Sequence, residues 1–277
     1  MLSSYYNLLA MLIIPTGSVL GAEIRDVNFS RPLNADTAAS LKSALLEHLV
    51  LFVRNQNLSE TEQVRFSRHF GDPQPHVRKQ PVAGLKEIFV VSNVSENDKP
   101  IGALGNGELT FHSDLSYLPK PGSVSIVHAI AVPNHGGDTQ WSNAYVAYDA
   151  LPNELKNRVV GLRAVHRHAE KEQNPNKPVS HPIVRTHPET GRRAMYVSPQ
   201  FTRTIEGINK NEGDMLLATL LEHVTRSEFV WTHKWAVGDL VVWDNRCTMH
   251  RREPFEATEK RILKRTQMFG DVPFLDL

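Results

Sequence analysis

Apolar positions change period along this chain, and each change marks an element. After Asn34-Ala35-Asp36, which offers an N-cap, Leu41, Leu45, Leu46 and Leu49 recur at helical spacing and predict a helix. It runs directly into Val50-Leu51-Phe52-Val53, the β-branched and aromatic run of a buried strand. Ser59-Glu60-Thr61-Glu62 is a capping box and opens a helix through about Phe70, which Gly71-Asp72-Pro73 ends. Strands are expected at 88–91, 124–132, 194–197, 229–235, 240–243 and 261–269. Tyr145 to Leu151 has helical spacing, and Pro152 starts a further helical turn. Residues 211–225 place Leu216, Leu217, Leu220, Leu221 and Val224 on one side of another helix.

Many short strands set off by turn signals, with a few helices early and at 211–225, argue for a jelly roll or barrel, mostly β with flanking helices. The regular βα alternation of a doubly wound fold is absent. Thr186-His187-Pro188-Glu189-Thr190-Gly191 reads as a hairpin turn. Flexible lid or loop regions are expected near 76–87, 100–109 and 168–180. No Gly/Ser-rich or charged linker interrupts the 277 residues, so the expectation is a single catalytic domain over 1–277. The apolar run at 8–14 has only the α-amino group as a basic flank and is too short to span a bilayer, so it reads as strand, not as a targeting segment.

Composition narrows the function classes. Thirty-one basic residues against thirty acidic leave a net charge of +1, which gives nucleic acid or an anionic membrane nothing to grip at long range. Cys247 is the sole cysteine, so no intramolecular disulfide can form, and a reducing, cytoplasmic setting fits. A lone thiol of this kind reads as small core filling.

Thr110-Phe111-His112-Ser113-Asp114, taken as a strand, puts His112 and Asp114 on one face. An imidazole beside a carboxylate can hold a divalent metal, and a third ligand would complete a facial triad with three open positions on iron(II). Val241-Val242-Trp243-Asp244-Asn245-Arg246 leads into Cys247-Thr248-Met249-His250, which offers that ligand. A His-x-Asp triplet alone is a weak signal. Gly102 to Gly107 is a Gly-rich stretch with no GKS/T after it, so it reads as a lid rather than a phosphate loop. Arg261 and Arg265 share one strand face. Turned inward they would demand an anionic partner, and turned outward they would be solvated with Ile262 in the core. The pattern alone leaves both open.

In company these segments resemble the taurine dioxygenase and phenoxyacetate-herbicide dioxygenase family of iron(II)- and 2-oxoglutarate-dependent oxygenases. The matching pieces are Gly21-Ala22-Glu23-Ile24, Phe111-His112-Ser113-Asp114, Gly136-Gly137-Asp138-Thr139, the run from His181 to Pro188, the run from Trp243 to His250, and Arg261-Ile262-Leu263-Lys264-Arg265. The resemblance implies a double-stranded β-helix (jelly roll) that holds Fe(II) through His112, Asp114 and His250, the catalytic centre. It implies Arg261 on the distal carboxylate of 2-oxoglutarate, with the Thr139 hydroxyl as second donor. O2 would be the co-oxidant, and succinate and CO2 the products. Because Asp114 supplies a carboxylate, hydroxylation is expected over halogenation.

The resemblance also places Arg265 and His76 at the anionic group of the substrate, with Phe201 as a pocket wall. Arg265 has an alternative role as support for the cosubstrate or the carboxylate. Lys79 stands in place of a tyrosine, and Glu108 in place of an asparagine near the amine end of the substrate, which argues against taurine itself. His166, His168, His181 and His187 read as loop or turn residues away from the metal. The expected partner is a small anionic molecule (carboxylate, sulfonate or similar), with neither nucleic acid nor membrane, and with a homo-oligomer left open. Two alternatives stand beside this: a zinc-dependent hydrolase on the same triad, and a non-catalytic jelly-roll binding module.

Overall fold

The computed structural model describes residues 11–75 and 85–276, and two sheets organise it. The larger runs in the order Leu12–Pro15, Ala22–Arg25, Val50–Val53, Leu240–Asp244, Gly122–Ala131, Ile262–Phe269, Phe89–Ser92, Ala103–Leu104. The smaller runs Val230–His233, Thr139–Asn143, Thr248–Arg252, Leu109–His112. Consecutive strands change sheet: Leu109–His112 lies in the smaller, Gly122–Ala131 in the larger, Thr139–Asn143 in the smaller again. Leu240–Asp244 and Thr248–Arg252 repeat that crossing. The result is the mostly-β jelly roll expected from the spacing of short strands.

Continuous apolar runs form the central strands because both faces are covered. Leu240 and Val242 pack with Ile126 under Leu41 and Leu45 of the Ala35–His48 helix. Val241 and Trp243 turn the other way and join Val127, Leu263 and, from the smaller sheet, Trp141. Each such side chain contributes roughly 2 kcal/mol by leaving water. The Lys210–Val224 helix lays Leu216, Leu217, Leu220 and Val224 against Phe111 and Met249. Those two residues directly precede His112 and His250, so the helix backs the strands that carry the candidate ligands. Asn34 and Ser59 cap their helices as expected, Asn34 Oδ1 accepting from the Thr37 amide at 2.8 Å and Ser59 completing its box with Glu62.

Several expectations need adjustment. The second helix ends at Ser67, three residues short of Phe70. The strand read across residues 110–114 stops at His112. The 100–109 region is not simply a loop, since Ala103–Leu104 adds a short parallel strand beside Phe89–Ser92. Within 168–180, Lys171–Gln173 forms a 3-10 turn and a strand begins at Val179. His76 and Lys79, and most of the 76–87 lid, lie outside the described residues. Among the described residues no helix is long and apolar enough to cross a membrane.

Candidate metal and cosubstrate site

His112 and His250 are cross-strand partners in the smaller sheet, and their rings lie 4.3 Å apart. Asp114 joins them from a tight turn, not from the strand. Its amide donates to Asn245 Oδ1 at 3.2 Å, and its carbonyl accepts from the Gly122 amide at 3.1 Å. Leu115, next in the chain, has φ +59°, the left-handed region that non-glycine residues avoid. That conformation turns the chain sharply and leaves the Asp114 carboxylate beside the rings, 3.8 Å from His112 Nε2. Ligand atoms of His112, Asp114 and His250 all lie within 4.8 Å of one another.

The donor set fits a divalent metal. His112 Nδ1 lies 2.8 Å from the Thr110 carbonyl, which fixes the tautomer with the proton on Nδ1 and leaves Nε2 with a lone pair toward Asp114. Burial lowers the pKa of His112 and takes that of His250 down to about 3, so both rings are neutral at physiological pH, as ligands must be. Burial alone would raise Asp114, but the charge of Arg265 and a hydrogen bond from Ser125 help hold it well below the usual carboxylate range. Ser125 Oγ donates to Asp114 Oδ2 at 2.8 Å and accepts from Asn245 Nδ2 at 2.9 Å and Gln267 Nε2 at 3.0 Å. Two neutral nitrogens and one ionised oxygen, with His112 held from behind by Thr110 and Asp114 by Ser125, make a facial set.

Two chambers meet at these ligands. Thr139, Trp235, Arg252, Arg261 and Leu263 border the first, together with His112, His250 and Arg265. The strand therefore turns Arg261 and Arg265 inward, and both are buried. Gly136 and Gly137 bring this corner together: at φ +74° and +71°, they sit where an added Cβ would meet Pro254 O at 2.5 Å and Pro133 Cγ at 2.9 Å. Burial, and next the Arg252 charge, push the Arg261 pKa down to about 9, while burial takes Arg252 down to about 10. An arginine keeps its proton in a protein, so these shifts measure a chamber that calls for an anion. Thr139 Oγ accepts from Trp235 Nε1 at 2.9 Å, which leaves its own hydrogen to donate elsewhere.

The second chamber is bordered by Phe89, Leu115, Tyr117, His168, Gln200, Phe201 and Arg265, with His112 and Asp114 at its floor. Phe201, on the border of this chamber, meets His112 edge-on at 5.6 Å between ring centroids. Arg265 donates to Asp114 Oδ1 at 3.1 Å, so it supports the carboxylate as well as bordering the chamber. Glu108 does not approach either chamber. It pairs with Arg251 at 3.3 Å beside a wider groove on the other face of the smaller sheet, away from the ligands.

The four histidines expected in loops or turns are in fact buried. His168 borders the second chamber, and His166 and His181 pack edge-on to each other at 5.2 Å behind it. His187 lies 3.0 Å from Asp244 Oδ2. Asp244, His187 and Cys247 also sit within 4.8 Å of one another, but both Asp244 oxygens are already engaged by Arg246. Burial pushes the Cys247 thiol well up, so it stays protonated and serves as core filling. Arg252, Gln200, Ser125 and Asn245 escaped the sequence reading. Only Arg252 left a signal there, two residues after His250 and so on the same strand face.

Comparison with known proteins agrees with this geometry. The family model for "Taurine catabolism dioxygenase TauD, TfdA family" matches residues 13–267. The chain is 33% identical over 281 residues to the alpha-ketoglutarate-dependent 2,4-dichlorophenoxyacetate dioxygenase of Cupriavidus pinatubonensis, covering 93% of this chain and 97% of that protein. It is 31% identical to the alpha-ketoglutarate-dependent sulfate ester dioxygenase of Pseudomonas putida, over 94% of this chain and 89% of the relative. The crystal structure of a taurine dioxygenase from Burkholderia xenovorans superposes with a TM-score of 0.81 at 37% identity, covering 95% of this chain and 92% of that one. The hydrolase and binding-module alternatives fall with these matches. The chain belongs to the taurine catabolism dioxygenase TauD, TfdA family, and is an enzyme that uses Fe(II), 2-oxoglutarate and O2.

Proposed function

We propose that this enzyme hydroxylates a small anionic organic substrate in the cytoplasm, through one catalytic domain formed by the whole chain. His112, Asp114 and His250 hold the iron. Arg261 takes the distal carboxylate of 2-oxoglutarate, and the Thr139 hydroxyl, whose oxygen is engaged by Trp235, donates its hydrogen to the same group. With 2-oxoglutarate and O2 the bound iron supplies oxidation of a C–H bond, with release of succinate and CO2. Tyr117 and Phe201 wall the substrate, and Arg265 draws its anionic end toward the floor of the second chamber. The observation that carries the reading is the meeting of two chambers at one triad, the first rich in buried guanidinium charge and the second lined mostly by apolar and aromatic side chains.

Three relatives act on a carboxylate (2,4-dichlorophenoxyacetate), a sulfate ester and a sulfonate (taurine), so an anion is the shared feature. A hydroxyl placed on the carbon next to an ether, ester or sulfonate heteroatom collapses and cleaves that bond, which is how hydroxylation would break such a molecule. Taurine itself is disfavoured, because Lys79 stands in place of a tyrosine; Glu108, paired with Arg251 away from both chambers, drops out of that argument. The test is succinate release by anaerobically iron-loaded protein given 2-oxoglutarate and O2, alone, with sulfonates, aryloxyacids, sulfate esters and amino acids, and with neutral and cationic analogues of these. Stimulation by one anionic class supports the proposal. Stimulation by neutral or cationic analogues alone would overturn the anionic part of it.

A further inference from the structure

Arg252 is 3% exposed, and the pleat of the Thr248–Arg252 strand turns it to the same chamber as His250. Its donors divide between two tasks. Nη2 donates to the carbonyls of Leu104 and Gly107. Nε and Nη1 have no hydrogen-bond partner, and neither does Arg261 Nε nearby. Both guanidiniums lie over the Phe255 ring, at 5.4 and 6.0 Å. Among the described residues no carboxylate forms an ion pair with either.

The segment that Arg252 holds matters to the other chamber. Residues 103–107 form a strap whose Leu104 side chain borders both chambers. Leu104 is in the left-handed region at φ +77°, so the strap needs outside support. Asn106 gives some, exchanging hydrogen bonds with the Phe255 backbone at 3.2 Å in each direction. Arg252 gives the rest. A guanidinium is a rigid plane of five donors, so fixing one edge fixes the other.

We propose that Arg252 is a positioning residue: an anion held between Arg252 and Arg261 fixes its guanidinium, and through the carbonyls of Leu104 and Gly107 fixes the strap that walls the substrate chamber. The proposal rests on the reading that 2-oxoglutarate occupies the Arg261 chamber. Without that anion the two cations repel, and the hold on the strap slackens. Binding of the cosubstrate thereby shapes the chamber that receives the substrate.

The test uses the full chain loaded with Mn(II), so that no turnover intervenes. It reads two quantities: 2-oxoglutarate affinity by calorimetry, and amide hydrogen exchange of residues 103–107 with and without saturating 2-oxoglutarate. In the unaltered protein, 2-oxoglutarate slows exchange across the strap. Arg252→Gln should bind 2-oxoglutarate about tenfold more weakly, the worth of one charge-assisted hydrogen bond. At saturation it should show no slowing in the strap. Arg252→Lys should recover part of the affinity but not the slowing, because a point charge cannot span anion and carbonyls together. Strap protection at saturation in either variant would overturn the coupling alone. An unaltered protein that binds metal but no 2-oxoglutarate would overturn the cosubstrate reading and the coupling with it.

Discussion

Arg265 Nη1 lies 3.1 Å from Asp114 Oδ1, so the arginine that borders the substrate chamber also helps keep the metal carboxylate ionised. The two roles separate by measurement. Arg265→Gln should weaken Mn(II) or Fe(II) binding by about tenfold, as loss of a partner behind a metal ligand commonly does, and should also raise KM for the anionic substrate. Metal titration followed by steady-state kinetics checks both. An unchanged metal affinity with a raised KM would leave Arg265 as a substrate contact only.

His112→Ala should abolish metal binding and 2-oxoglutarate-dependent O2 consumption while leaving the fold in place. His112 lies at a strand end, and its ring meets Phe201 and His250 rather than the Phe111–Met249 core. Far-ultraviolet circular dichroism and an oxygen electrode suffice. Activity in the variant would remove His112 from the ligand set.

Ser125 is the node behind Asp114, donating to Oδ2 and accepting from Asn245 and Gln267 with its oxygen fully buried. Ser125→Ala leaves three buried polar groups short of a partner and should cost about 1–3 kcal/mol. The thermal melt of the metal-free protein should drop accordingly. The rise in Tm on adding metal should shrink too, because the loosened carboxylate binds the ion less well.

Sequence reasoning reached the fold through local signals, apolar runs and turns, and reached the triad, a weak His-x-Asp pattern by itself, through the resemblance of the segments around it. His112 and His250 sit at pleat positions, and the apolar runs at 50–53 and 240–243 are long enough to announce covered strands. What it missed was set by tertiary contact. A strand over 110–114 would carry Asp114 as well, yet the turn at Leu115 and the Asn245 side chain, distant in sequence, place it. His166 and His181 looked like loop polar residues because their burial comes from strands that pair across intervening chain. Ser125 and Gln200 carry no pattern at all, since a single serine or glutamine acquires meaning only from what folds against it.

Arg246 binds both oxygens of Asp244, and its Nη1 reaches Glu189 at 2.7 Å. Asp244 is fully buried, so Arg246→Met removes its guanidinium partner, leaves it only His187 and the backbone amide of residue 246, and should destabilise the protein by about 3–5 kcal/mol. Asp244→Asn combined with Arg246→Met should cost less than that single change, because no buried charge then lacks its partner. Urea denaturation of the two variants checks the order. A double variant less stable than the single one would show that the pair holds the fold by shape rather than by charge.

The histidines behind the substrate chamber predict how stability follows pH. Burial, and then mutual repulsion with His181, lowers the pKa of His166 to about 3; burial lowers that of His181 to about 4. Both start from an ordinary value of 6.5. Between those limits the unfolded chain binds protons that the folded chain refuses, so unfolding becomes easier as pH falls. Their contribution is fully present above pH 6.5 and is lost progressively from there down toward pH 4 and then 3. His166→Phe keeps a ring stacked near Tyr196 but removes one titrating group. It also leaves the Ser116 hydroxyl unpaired, so its stability at pH 7.5 should be lower. The slope is the discriminating quantity. Denaturation midpoints taken from pH 7.5 to pH 5 should fall less steeply in His166→Phe than in the unaltered chain, and parallel slopes would show that His166 accepts a proton in the folded state.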